Sequence, residues 1–401
     1  MTQYDVAVIG GGPSGSTAAH LLAKGGARVL LLEREVFPRF HIGESLLPCN
    51  QPIFERLGVD IDAEPAHLRK LGAEFFDESA DKRAVYYFRD SLGHTRSHSW
   101  QVDRARFDEV LLDAAEAAGA EVHQGEKVSG VDVSADGVRV RSERATYEAR
   151  YLIDATGLDS FLARKHRTRD RLPFGIAAAY QHFEDLAPEV AAELAAEGLV
   201  KVFFVDEGWL WAIPLGGSRI SIGLVTRSKG ISDDWLEAAI AGSPELSRIT
   251  DGATASGPPR RVGSFSFVNT RSHGARWCCV GDAACFLDPV FSSGVAFGMA
   301  GAAQVADLLL PALEEGREAA EELMVSHAAH MSDGYNAFGA LIQALYQRRL
   351  LPDLLFTRSQ DPELRRGLTS MLAGDVWQDG NRFHEMLKRS GRRKFDVTSR
   401  T

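Results

Sequence analysis

Three short stretches of the sequence combine residue types able to hold anions beside an aromatic wall. Gly10-x-Gly12-x-x-Gly15 follows the β-branched run Asp5 to Ile9 and opens the Ala- and Leu-rich stretch Ser16 to Gly25. In that setting Gly10 permits a tight turn, Gly12 lets the backbone approach a pyrophosphate, and Gly15 allows close helix–strand packing. The helix N-terminus then faces the phosphate charge. Glu33 closes a second apolar strand, Arg28 to Leu32, 23 residues after Gly10. A carboxylate at that point accepts hydrogen bonds from adenosine ribose hydroxyls. Asp288-Pro289-Val290-Phe291-Ser292-Ser293-Gly294 brings a Ser-Ser-Gly turn to the start of a helix. Its backbone N–H groups and positive dipole end suit a small anion, and the same serines also suit a helix cap. Trp209 and Trp211 stand two apart on a strand-like run, so both indoles point to one face, as core or as the wall of a site.

These residues need a scaffold, and the periodicity supplies one. The first 33 residues read as a strand–turn–helix–strand unit with parallel pairing. Between about Ala73 and His98, alternating segments such as Ala84-Val85-Tyr86-Tyr87-Phe88, with Gly93 between two halves, suit antiparallel hairpins inserted from a second sheet. Arg104 to Ala118 returns to helical spacing, and Val128 to Val133, Gly137 to Ser142 and Tyr151 to Ile153 read as short strands. From Phe174 to Val268 strand-like runs dominate (Val200 to Val205, Leu210 to Ile213, Ile220 to Val225), with one helical stretch at Ser232 to Ala241. Arg276 to Val280 is a last buried strand, and helical spacing runs from Ser293 to about Arg389. The expected fold is α/β: a Rossmann-like dinucleotide-binding domain (1–72, 99–172 and 270–305), an interleaved, mainly antiparallel β-sheet domain (73–98 and 173–269) and a helical C-terminal region (306–401).

Length and composition limit the partners. A chain of 401 residues has room for two or three domains, and 45% hydrophobic with 25% charged residues is the make-up of a folded globular protein. The net charge of −10 disfavours nucleic acid. Four cysteines, Cys49, Cys278, Cys279 and Cys285, form neither a disulfide framework nor a CxxC pair and read as small buried hydrophobes in a reducing compartment. The N-terminus has no basic stretch of the secretory kind, and Ala296 to Leu313 is interrupted by Gln304 and Asp307, so a buried helix is expected there rather than a membrane span. Cytoplasmic location is the expectation. The basic run Lys388 to Lys394 reads as a solvated terminus.

Further strings carry a resemblance. Asp154-Ala155-Thr156-Gly157 and Gly281-Asp282-Ala283-Ala284 are similar to the two additional signatures of flavin-dependent monooxygenase-like enzymes, which implies FAD and gives Asp154, Gly157, Gly281 and Asp282 cofactor contacts. The string Phe37 to Pro48, which includes Arg39, resembles the segment after the Rossmann unit in flavin-dependent halogenases and their geranylgeranyl-reductase-like relatives. Trp209-Leu210-Trp211-Ala212-Ile213-Pro214 matches the WxWxIP motif of those halogenases. The resemblance runs over most of the chain. It implies that Trp209, Trp211, Pro289 and Phe291 line the flavin side or the path from it, and that Ser293 and Gly294 hold halide. Lys70, a solvated charge if read alone, stands in Lys70-Leu71-Gly72-Ala73 where halogenases carry their essential lysine. Where tryptophan halogenases place a glutamate before the halide loop, Phe291 stands here, which implies a phenolic or pyrrolic ring that needs less help to lose its proton.

The activity so implied is FADH2-dependent halogenation of an electron-rich aromatic in natural-product biosynthesis. Reduced FAD and dioxygen oxidise chloride or bromide, and Lys70 delivers the resulting hypohalous acid to a substrate that is free or tethered to a carrier protein. A single dinucleotide fingerprint implies that a separate NAD(P)H-dependent flavin reductase supplies the reduced cofactor. Two alternatives share the scaffold: a monooxygenase or reductase acting directly on an organic substrate, and a catalytically silent FAD-binding partner protein.

Overall fold

The computed structural model describes residues 3–206, 208–227, 232, 234–346, 350–357 and 361–390; the part of the basic run beyond 390 lies outside them. One sheet is built on the N-terminal unit. Its strands run in the order His273–Gly274, Trp277–Cys279, Thr146–Asp154, Gln3–Ile9, Val29–Leu32, Glu121–His123, all parallel from Trp277–Cys279 onward. Helices cover both faces of parallel sheets, so their strands are apolar throughout. The second half of Gln3–Ile9 obeys this, with Val6 and Val8 in one buried cluster and Ala7 and Ile9 in another. Truncating Leu31, fully buried beside them, to Ala costs about 2–5 kcal/mol. Val128–Val133 and Val138–Ser142 add antiparallel strands to Thr146–Asp154, a nine-residue strand of which the sequence pattern exposes only the last third.

The second sheet runs Thr254–Ala255, Ala177–Glu184, Arg219–Thr226, Gly208–Leu215, Val200–Val205, Gly72–Asp77, Lys82–Tyr87, with Arg260–Gly263 also on Ala177–Glu184. It is antiparallel except where Val200–Val205 meets Gly72–Asp77. The hairpin expected around Gly93 turns instead at Glu78–Ala80 and Asp81, the latter in the left-handed region. Two elements lacked a clear signal in the expected pattern. Ala177–Glu184 is a strand despite its alanines, because both edges are paired, and Pro188–Glu197 is a helix with Pro at its start and Gly198 beyond its end.

The third layer is helical: Ser293–Glu314, Val325–Tyr346, Leu350–Phe356, Pro362–Leu372 and Arg382–Ser390. Ser293–Glu314 is long and apolar enough to cross a membrane, yet most of that stretch is buried, against Pro13–Lys24 on one side and Val325–Tyr346 on the other. Its polar residues are used: Gln304 accepts from His327 Nδ1 at 2.8 Å, and Asp307 pairs with Arg56. All four cysteines are free; Cys278, Cys279 and Cys285 are buried and Cys49 is half-buried.

Candidate active site

A cavity of about 780 Å³ runs from the end of the first strand to the second sheet. That volume is ample for a cofactor-sized ligand. Its first end is the glycine turn. A Cβ on Gly15 would fall 1.8 Å from the Gly10 carbonyl oxygen, so helix and strand touch there and Gly15 lies behind the wall. A Cβ on Gly12 would meet only Arg39 Nη2, at 3.6 Å, and Gly12 faces the cavity. Glu33 is buried, accepts from Gly11 N at 2.6 Å and Glu35 N at 2.9 Å, and lines the cavity. The open backbone at Gly12, the carboxylate of Glu33 and the cation of Arg39 fit a dinucleotide such as FAD.

The loop 33–47 forms one flank, and a buried ion pair fixes it. Arg104, on the helix Arg104–Ala117, grips Asp108 four residues on with two hydrogen bonds of 2.8 and 2.9 Å and donates to the carbonyls of Ile42 and Gly43. Arg39 joins the same carboxylate at 2.9 Å. Neither Arg104 nor Asp108 was expected in the site. The signal available was a charge pair at i, i+4 on a helix, which is most often a solvated pair.

The far end is aromatic. Trp209 and Trp211, ring centroids 5.8 Å apart, both line the cavity from Gly208–Leu215. Gly223 on the next strand makes room for Trp211, since a Cβ there would sit 2.2 Å from the indole. Trp209 Nε1 donates to Tyr346 Oη, which donates at 2.7 Å to Asp288. Burial pushes the Asp288 carboxyl up to about 6, against the hydrogen bonds it accepts. Its Oδ1 takes Val290 N at 3.1 Å and so caps the turn Pro289–Phe291.

Several expected positions shift. Ser292 holds a left-handed backbone, φ 58°, an unusual state for a residue with a side chain and one that collects at functional turns. It and Gly294 form the cavity wall with Pro289, whereas Ser293 is buried behind it, because the helix begins at Ser293 and turns that side chain away. Phe291 is not part of the wall either; it packs in the apolar core, 6.3 Å from Phe338. Asp282 lines the cavity next to Gly294, and burial raises its carboxyl to about 6, opposed by Arg104. Gly281 instead provides close approach to Ser14, 2.3 Å from where its Cβ would stand. Gly157 faces the cavity, but Asp154 does not. The Asp154 oxygens accept from Thr156 N, Thr156 Oγ1 and Leu162 N, so this carboxylate shapes the turn that presents Gly157.

Lys70 is buried, 1% exposed, and stands outside the cavity wall. The short strand Ser99–Gln101 places it: Leu68–Lys70 pairs along one side, and Ser45 and Leu46 bond to the other through the Ser45–Gln101 bridge and Leu46 N to Trp100 O. Lys70 Nζ therefore reaches across to donate to Ser45 Oγ at 2.8 Å and Leu46 O at 2.9 Å, 5.3 Å from the centre of the Phe88 ring. Burial brings the ammonium down to about 7 from an ordinary 10.5. Ser45 does line the cavity, and no lining residue comes from beyond Val295 among the described residues.

A family model described as tryptophan halogenase matches residues 5–95 and 77–350. The chain belongs to the tryptophan halogenase family. Among its relatives is the 1H-pyrrole-2-carbonyl-[peptidyl-carrier protein] chlorinase of Pseudomonas fluorescens, 26% identical over 93% of this chain and 90% of that protein. Among solved structures, a flavin-dependent brominase superposes with a TM-score of 0.85 at 26% identity, covering 97% of this chain and 98% of the other. A flavoprotein/dehydrogenase from Cytophaga hutchinsonii superposes at 0.87, also 26% identical, covering 97% and 98%. The protein is thus a flavin-dependent halogenase that works with FAD and halide, on the mixed α/β fold of that group.

Proposed function

We propose that this halogenase acts on a phenolic or pyrrolic ring through Lys70, with reduced flavin supplied by a separate NAD(P)H-dependent reductase. The observation that carries the reading is Lys70 itself, a buried lysine brought down to about 7 and hydrogen-bonded to a residue of the cavity wall. Buried lysines are ordinarily ion-paired, as Lys201 is with Glu74, and among the described residues no carboxylate pairs with Lys70.

Gly12, Glu33, Arg39, Gly157 and Asp282 hold the cofactor. When bound and reduced, FAD supplies activation of dioxygen and oxidation of halide to hypohalous acid. The Ser292–Gly294 turn holds the halide, with backbone N–H groups at the start of a 22-residue helix and its positive dipole end. Trp209 and Trp211 close the far end, so that only a small inorganic oxidant leaves it. Lys70 receives that oxidant and orients its halogen toward a ring bound between the second sheet and the C-terminal helices. With Phe291 in the core, position 291 offers no carboxylate to take a ring proton, which favours rings already activated by oxygen or nitrogen. The likeness to a chlorinase of a carrier-bound pyrrole supports a pyrrolic, carrier-tethered substrate as one arm of the assay.

The assay is mass spectrometry of free phenols, free pyrroles and pyrrolyl carrier proteins after incubation with the enzyme, a flavin reductase, NADH, oxygen and chloride or bromide. The expected outcome is a halogen isotope pattern on at least one ring that needs halide and is lost by about 100- to 10,000-fold in Lys70→Ala, with FAD binding intact. Turnover of the ring without halide would favour direct oxidation instead, the reading to which the dehydrogenase likeness lends weight. Lys70→Ala halogenating at the wild-type rate would remove Lys70 from the mechanism.

A further inference from the structure

We infer that Ser45 is the proton relay between Lys70 and the oxidant, the residue through which a lysine outside the flavin cavity acts on what leaves it. This rests on the reading of Lys70 above.

Lys70 Nζ has two hydrogen-bond acceptors, Ser45 Oγ and the carbonyl of Leu46, and of those two residues only Ser45 lines the cavity. An ammonium donates and never accepts. The Ser45 hydroxyl hydrogen therefore points away from Nζ, and Ser45 is the residue that both accepts from the lysine and lines the cavity. Ser45 is 6% exposed and is pinned by its bridge to Gln101, with Glu44 O and Leu46 N bonded to Val102 and Trp100 on either side of it. The hydroxyl thus sits on a fixed backbone rather than on a mobile loop tip.

The step balances. The ring carbon attacks the halogen of hypohalous acid, forming the C–X bond and breaking O–X. The departing hydroxide takes the Ser45 proton and becomes water, and Ser45 takes a proton from the Lys70 ammonium. The ring then loses its own proton to solvent, restoring aromaticity, and the neutral Lys70 is reprotonated from solvent. The net change is ring C–H plus hypohalous acid to ring C–X plus water. The two acceptors match the two N–H groups of the neutral amine left behind and are one short of the three of the ammonium, so the shell favours giving the proton up.

The test compares wild type, Ser45→Ala, Ser45→Thr and Lys70→Ala for FAD affinity, oxygen consumption and halogenated product per oxygen consumed, from pH 6 to pH 9. Ser45→Ala is expected to bind FAD and consume oxygen as the wild type does while product per oxygen falls about 100-fold, with the lysine-linked pH dependence of product per oxygen lost. Ser45→Thr, which keeps the hydroxyl, is expected to recover most of the loss. Product per oxygen within about twofold of wild type in Ser45→Ala overturns the relay, as does a Ser45→Thr chain that binds FAD but is as uncoupled as Ser45→Ala. Loss of FAD binding in both variants assigns Ser45 to the cavity wall and likewise overturns it. Failure of the underlying reading looks different: Lys70→Ala would then retain product, whatever Ser45 does.

Discussion

Lys70 is held where its charge is costly. Its folded value near 7 against an ordinary 10.5 means that the folded chain binds fewer protons than the unfolded chain between those limits, so stability rises with pH across that window. Below about 7 the full cost of the buried ammonium is present, on the order of several kcal/mol. Lys70→Met, which fills the same space without the charge, is therefore expected to unfold at a higher temperature than wild type at pH 6, with the difference shrinking toward pH 10. Thermal melts of the two proteins at the two pH values check this; a less stable variant at pH 6 would mean that the hydrogen bonds to Ser45 and Leu46 outweigh the desolvation. Nothing in the string Lys70-Leu71-Gly72-Ala73 announces this burial. It arises from strands about thirty residues apart meeting at Ser99–Gln101, and so the lysine was singled out only through the resemblance, and its pairing with Ser45 not at all.

At the scale of elements, the nucleotide-binding turn was readable because its requirements are local: three glycines, a preceding strand and a following helix. The structure separates their jobs. Gly15→Ala drives a methyl into the Gly10 carbonyl and is expected to destabilise the apoprotein by at least about 2 kcal/mol. Gly12→Ala meets only ordinary contact within the protein and is expected to leave the apoprotein melt within about 2 °C of wild type, yet to strip the yellow absorbance by intruding on the cofactor. Denaturant unfolding of the apoproteins beside flavin absorbance separates the two. The place of the Ser292–Gly294 turn at the cavity was readable to within one residue. Its serines both look available in the sequence, and only the point at which the helix starts decides that Ser292 and Gly294, rather than Ser293, form the wall. Asp154 and Phe291 were misplaced for a related reason: strand-end acids and apolar residues near a site often build the turn or the core beneath it, a distinction that requires the third dimension.

For the whole molecule, the α/β architecture with a second, mainly antiparallel sheet followed from periodicity, whereas the order in which the strands lie did not. The cavity is shared: the glycine turn and Gly157 belong to the first sheet, and Trp209 and Trp211 to the second. A ligand that binds the folded state stabilises it by about 2.7 kcal/mol at a hundredfold excess over Kd. FAD is accordingly expected to raise the melting of both halves together. Calorimetry showing one half shifted and the other left behind would mean that the cofactor touches only the N-terminal sheet.

Among the described residues the cavity wall is complete by Val295, and of the helices that follow Ser293–Glu314 it is Val325–Tyr346 that supports it, through Tyr346 on Trp209 and Asp288. Such a division lets the chain beyond that helix be retooled for a new ring, by natural drift or in the laboratory, while the machinery that generates the halogenating agent is inherited unaltered.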